Sequence, residues 1–232
     1  MRLLACLLVL VLLLTVLAPR IRPRLPPGYD PFAPLSVDDP PTFVTRYKLK
    51  RLAADPAACL AALDRASAAG RISFVALPDA AGPCPLSSPV RIRGFGPVTL
   101  SSSFLASCPL ALSSAMFVGQ AAAPLAAASL ASPLARIDHL GSYACRNIYH
   151  RRAGRLSEHA EADALDVAGF TLADGRRIPV LQQWRREDPA ARYLHAVFGQ
   201  SCDFFGNSLG PDYNAAHANH FHLGMRGFGV CR

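Results

Sequence analysis

The chain has 232 residues, 51% of them apolar and 17% charged, a composition that permits one domain with a full core and excludes a disordered polyelectrolyte. A formal net charge of +8 draws it to anionic surfaces. The arginines are scattered, as at Arg151, Arg155, Arg176 and Arg185, without interleaved aromatics to read bases, so nucleic acid is excluded as the expected partner in favour of lipid head groups or peptide carboxylates.

Residues 3 to 18 are apolar apart from Thr15, with Arg2 before them and Arg20, Arg22 and Arg24 after. Sixteen apolar residues are short of the roughly twenty that cross a bilayer comfortably, which favours a cleaved export signal. No small-x-small site precedes Pro19, which favours retention. The reading is a signal peptide or signal anchor over residues 1–18, with the retained anchor favoured, so that the domain is exported to the periplasm and held at the inner membrane by residues 3–18. Cys6 lies inside the apolar run, so it is not a lipoprotein cysteine. The other six, Cys59, Cys84, Cys108, Cys145, Cys202 and Cys231, are an even number without a C-x-x-C pair, as expected for disulfides in an oxidising compartment. Cys202 with Cys231 and Cys59 with Cys84 are the expected pairs, because each brackets one compact segment.

Residues 19 to 44 are rich in proline and lack an apolar period, which predicts an extended linker before a domain over residues 45–232. Tyr29, Phe32 and Phe43 are candidates to dock on that domain. Asp55-Pro56 followed by Cys59, Leu60, Leu63 and Gly70 predicts a short capped helix. Val90-Arg91-Ile92-Arg93 and Val98-Thr99-Leu100 flank Gly94 and Gly96 as a hairpin. From Ser107-Cys108-Pro109 an alanine-rich helical stretch runs to about Ala131, with a break expected near Pro124. Residues 164 to 172 predict a strand that turns at 173 to 176 and returns through Ile178-Pro179-Val180, with Asp166 facing inward. Asp188-Pro189 opens a helix carrying Tyr193, Leu194, Val197 and Phe198, with Gly199 near its end and His195 as a packing or surface residue. No motif claims His139 or His150. Residues 219 to 227 return as a strand to the same sheet. The expected fold is α+β: a central antiparallel sheet bearing a metal site, covered by helices and stapled by disulfides.

Two patches carry the chemistry. His159 and Asp166 stand seven residues apart in Ser157-Glu158-His159-Ala160-Glu161-Ala162-Asp163-Ala164-Leu165-Asp166, and His217-Ala218-Asn219-His220-Phe221-His222 lies near the end of the chain. A catalytic zinc takes three protein ligands and leaves its fourth position to water. On a strand, residues two apart share a face, so His220 and His222 point into one cleft with Phe221 behind them.

The decamer resembles the Ser-x-His-x-x-Gly-x-Ala-x-Asp signature of the zinc D-alanyl-D-alanine metallopeptidases, a group sharing its metal-site layout with lysostaphin-type endopeptidases. Ser157, His159, Ala164 and Asp166 match, and Ala162 stands in place of the glycine, an exchange that is harmless unless the backbone needs positive φ there. The resemblance implies metal ligands His159, Asp166 and His222. The glutamate that some members use as base is Asn219 here, so the base falls to His220. The segment Gly141-Ser142-Tyr143-Ala144-Cys145-Arg146 is similar to the Tyr-Arg segment of those peptidases, which implies that Arg146, assisted by Ser157, grips a substrate carboxylate. Over residues 40 to 232 the chain looks like the bacterial extensin-like C-terminal domain family.

What these resemblances imply is a Zn2+-dependent peptidase acting on peptidoglycan peptides, as a D,D-carboxypeptidase or endopeptidase. The alternative is a cell-wall-binding module that keeps the fold without turnover. A metal-free, disulfide-stapled structural domain is a third possibility.

Overall fold

The computed structural model describes residues 2–227 and 229–232. Helix α1, Arg2–Ile21, is apolar, and its Leu4, Leu7, Leu8, Leu12, Leu13, Val16 and Leu17 are all exposed. Between it and helix α2, Phe43–Leu52, the proline-rich segment enters the core through Leu35 and Val37, while Phe32 and Phe43 stay in solvent. The buried part of the docking is made by these aliphatic residues, while Tyr29 packs edge-on against Phe43 at the start of α2, ring centroids 6.0 Å apart. Two backbone carbonyls of this segment, Val37 O and Asp39 O, accept from Gln120 Nε2.

The helix expected after Asp55 is α3, Pro56–Ala68, capped by Asp55 and opened by proline. Strands β1, Ser73–Ala76, β2, Val90–Phe95, and β3, Val98–Ala106, then form an antiparallel meander. Ser107 caps α4, Cys108–Phe117, whose residues other than Pro109 are all buried. The helical stretch does not break at Pro124. A π turn over Val118–Ala122 leads straight into α5, Ala123–Leu130. Proline strikes the carbonyl four residues back, here that of Gln120, and the wider turn carries that carbonyl aside. The stretch Cys108–Leu130 is long and apolar enough to cross a membrane, but it is mostly buried in the protein as the core helix.

Strand β4, Leu134–Gly141, precedes β5, Ala164–Leu172, and the short β6, Arg177–Pro179. A single turn α6, Val180–Gln183, leads to α7, Pro189–Phe204, which continues past the glycine at 199. His195 packs on it against Trp184, with ring centroids 3.9 Å apart. Strands β7, Asn207–Leu209, β8, Phe221–Gly224, and β9, Val230–Cys231, complete the sheet. Its order is β1-β2-β3-β4-β5-β8-β7-β9, with β6 also on β5. All pairings are antiparallel except β3 with β4 and β7 with β9. The fold is α+β, with the core between the sheet and α3, α4, α5 and α7, where Phe170 meets Tyr193 and Phe117 meets Phe204 and Phe205.

Three disulfides join Cys59 to Cys108, Cys84 to Cys145 and Cys202 to Cys231. The last is the pair expected from the sequence. The expected Cys59–Cys84 bridge is not formed, because α3 packs on α4 and sets Cys59 against the first residue of that helix. Three bridges are the mark of an oxidising compartment, where exported proteins reside.

Candidate metal centre

The register of two strands builds the centre. Asp166 on β5 pairs directly with His222 on β8, and neighbours opposed in an antiparallel pair hold their side chains within reach of each other. The third residue comes from the loop between β4 and β5. Ser157 accepts from His159 N–H and caps a 3₁₀ turn, Glu158–Glu161, which turns the His159 ring inward. The turn ends on Ala162 at φ 52°, and Asp163 N–H bonds back to Glu158 O. The backbone at the motif's glycine position is therefore left-handed, and alanine occupies it at a cost of about 1 kcal/mol. Its buried methyl returns a similar amount, so the exchange is tolerated.

The ligand atoms of His159, Asp166 and His222 all lie within 4.8 Å of one another. His159 Nε2 is 3.2 Å from His222 Nδ1 and 3.3 Å from Asp166 Oδ2, and His222 Nδ1 is 3.0 Å from Asp166 Oδ1. Atoms at the corners of a tetrahedron with metal bonds of about 2.0–2.1 Å stand about 3.3 Å apart; the two histidine nitrogens have that spacing, and each approaches a different oxygen of Asp166. The outer nitrogens are also fixed. His159 Nδ1 is 3.1 Å from Ser142 O and His222 Nε2 is 3.4 Å from Glu158 Oε2. A carbonyl and a carboxylate only accept, so both rings donate outward and turn their remaining nitrogens toward Asp166.

Glu158 is held as firmly as the ligands. It accepts from Asn207 Nδ2 at 3.1 and 3.0 Å and from Arg226 N–H at 2.7 Å. Gly224 makes room for this pair, since a Cβ there would lie 2.5 Å from Glu158 Oε1. Burial pushes the Glu158 carboxyl up, but its bonds to His222, Arg226 and Asn207 outweigh that and keep it below its ordinary value. Asp166 is lowered further, its hydrogen bonds to His159 and His222 overcoming desolvation. Burial lowers His222, yet its bonds to Asp166 and Glu158 carry it up to about 9. A site that binds a proton this strongly is built for positive charge. Two histidine nitrogens and a carboxylate oxygen, with outer bonds in place, fit a divalent cation such as zinc.

A cleft of about 350 Å3 opens beside the triad and is lined by Arg146, Tyr149, Ser157, His217 and His220 among others. His220 lies just before β8, with Phe221 packed behind it against Trp184 and Phe198. Its Nδ1 is 2.8 Å from Asn219 Oδ1, its Nε2 3.6 Å from Asp166 Oδ1, and burial holds its pKa below the usual value. Arg146 lines the cleft, and its guanidinium has no hydrogen bond or ion pair among the described residues. Its carbonyl accepts from Ser157 N–H. All six residues expected from the sequence thus border one cleft, three as the metal triangle and three around it.

Sequence reasoning missed Glu158, Asn207 and His217. His217 Nδ1 bonds Asn214 Oδ1 at 2.8 Å, and burial followed by the charges of His222 and His220 pushes it down to about 4. The signal for Glu158 was its place inside the motif, between a capping serine and a ligand, where an acid reads equally well as a first-turn surface residue.

No curated protein and no solved structure matches the chain. A family model described as extensin-like protein C-terminus matches residues 57–232, which contain every residue of the centre and all three disulfides. The chain belongs to the extensin-like protein C-terminus family.

Proposed function

We propose that the protein is a zinc-dependent peptidase acting on peptidoglycan peptides, of the D,D-carboxypeptidase or endopeptidase type. The observation that carries this reading is the convergence of His159, Asp166 and His222 with their ligand atoms within 4.8 Å of one another, both outer nitrogens bonded, and an open cleft beside them. Three protein ligands and one open side are the pattern of catalytic rather than structural zinc. The match of Ser157, His159, Ala164 and Asp166 to the metallopeptidase signature supports the substrate class.

When bound, zinc supplies a Lewis acid that polarises a carbonyl and lowers the pKa of a water to about 7. His220 is the proposed general base. Asn219 Oδ1 accepts from its Nδ1–H, which leaves Nε2 to take a proton within the cleft, and burial keeps the ring neutral for that task. The unpaired Arg146 guanidinium grips a substrate carboxylate through two parallel bonds, with Ser157 beside it. Glu158 holds the tautomer of His222. The exposed leucines of α1 and the three disulfides support a periplasmic domain anchored at the inner membrane by residues 3–18.

Incubation of the zinc-loaded protein with wall muropeptides tests the reading. The parent releases D-alanine or cuts cross-links, His159→Ala does neither, and His220→Ala keeps its metal but turns over about 10²–10⁴-fold more slowly. Absence of product from the metal-loaded parent, with retained wall binding, makes the protein a wall-binding module instead.

A further inference from the structure

A second pocket, of about 440 Å3, opens between the segment that follows α1 and the helices α2 and α3. It shares no residue with the metal cleft. Phe32 and Leu35 contribute apolar walls, and Lys48, Arg51 and Arg65 bring three cations against one carboxylate, Asp55, which is engaged in capping α3. Lys48 is only 6% exposed, and no hydrogen bond or ion pair reaches its ammonium among the described residues. The stem of Lys48 is covered while its ammonium stays accessible, as when a lysine buries its methylenes and keeps its charged head at an opening. Its outlet is the pocket it lines, which lacks a counter-charge of matching size.

We propose that this pocket binds an anionic amphiphile, a phosphate group carrying an apolar chain, with the phosphate on Lys48 and Arg65 and the chain along Phe32 and Leu35. The two halves of the lining argue for both parts of the ligand. A free anion would use the cations but leave the apolar wall idle, and a neutral apolar ligand would leave Lys48 unpaired. The wall is formed by the chain directly after α1, whose own leucines are exposed, so a lipid head group is the natural source.

Calorimetric titration of the full chain in neutral maltoside micelles, with dodecyl phosphate in one arm and inorganic phosphate in the other, tests the proposal. Dodecyl phosphate binds saturably, Lys48→Gln weakens it at least about tenfold, and inorganic phosphate binds at least about tenfold more weakly. Arg65→Gln, at an exposed position, weakens it severalfold and carries the test if Lys48→Gln fails to fold. Unchanged binding by the folded variants, equal affinity for inorganic phosphate, or no saturable binding by the parent overturns the proposal.

Discussion

Glu158 shows how a residue outside the metal triangle governs it. It accepts from His222, and its other lone pairs are filled by Asn207 and Arg226. Glu158→Gln frees the His222 ring to change tautomer and lowers metal affinity about 10–100-fold, measurable by competition with a chromogenic chelator. Asp163, one turn away, behaves in the opposite sense. Burial raises its carboxyl to about 6, against a bond from Ser107 and with help from the charges of Glu158 and Glu161. The folded state holds this proton to about pH 6 while the unfolded chain releases it near 3.8, so stability falls as pH rises between those values and stays lower above them. Asp163→Asn removes that loss and raises stability at pH 8 by about 1–3 kcal/mol, with little effect at pH 3.5, as read by denaturant titration. These environments are tertiary, and the sequence does not reveal them. The clustered residues His159, Asp166 and His222 were legible because metal-binding chemistry draws on those side chains, whereas Glu158 is defined only by Gly224 and Asn207 coming beneath it.

At the scale of elements, local signals were read well where a residue has one mechanical use. Asp55 with Pro56 and Asp188 with Pro189 start helices as their caps require, and the turn at 173 to 176 closes β5 on β6. Strand β4 went unread because its burial is mixed, with buried residues at Leu134 and Ile137 only and no clean alternation. The Cys59–Cys108 bridge was hidden for a related reason, since pairing follows the packing of α3 on α4 rather than spacing along the chain. The π turn has a use of its own: it presents Gln120, whose amide donates to Val37 O at 2.6 Å and Asp39 O at 2.9 Å and ties the proline-rich segment to the core helix. Gln120→Ala leaves both carbonyls without that donor and costs about 1–3 kcal/mol. Hydrogen exchange then rises selectively in residues 31 to 42, with α4 and α7 unaffected.

For the whole molecule, the fold converts separate stretches of sequence into one charged cavity, for which a bound metal ion would compete with a proton. Without metal, His222 holds its proton to about pH 9, against 6.5 in an unfolded chain, so it contributes stability that is complete below 6.5 and lost as pH rises through 9. Zinc replaces that proton, so the rise in Tm on adding zinc grows between pH 6.5 and 9, a dependence that paired melts by calorimetry would reveal. The α+β class, the stapling and the convergence of two distant histidine patches were all readable from the chain, because strand alternation and cysteine parity are whole-chain patterns. The pocket at Lys48 was not, since it needs α2 and the segment after α1 to meet. The most direct test of the central claim is the zinc content of the full chain after loading and exhaustive dialysis. About one zinc per chain in the parent, none in His159→Ala or Asp166→Ala, and an unchanged content in His220→Ala is the predicted result. A metal-free parent, or triad variants that keep their zinc, would contradict it.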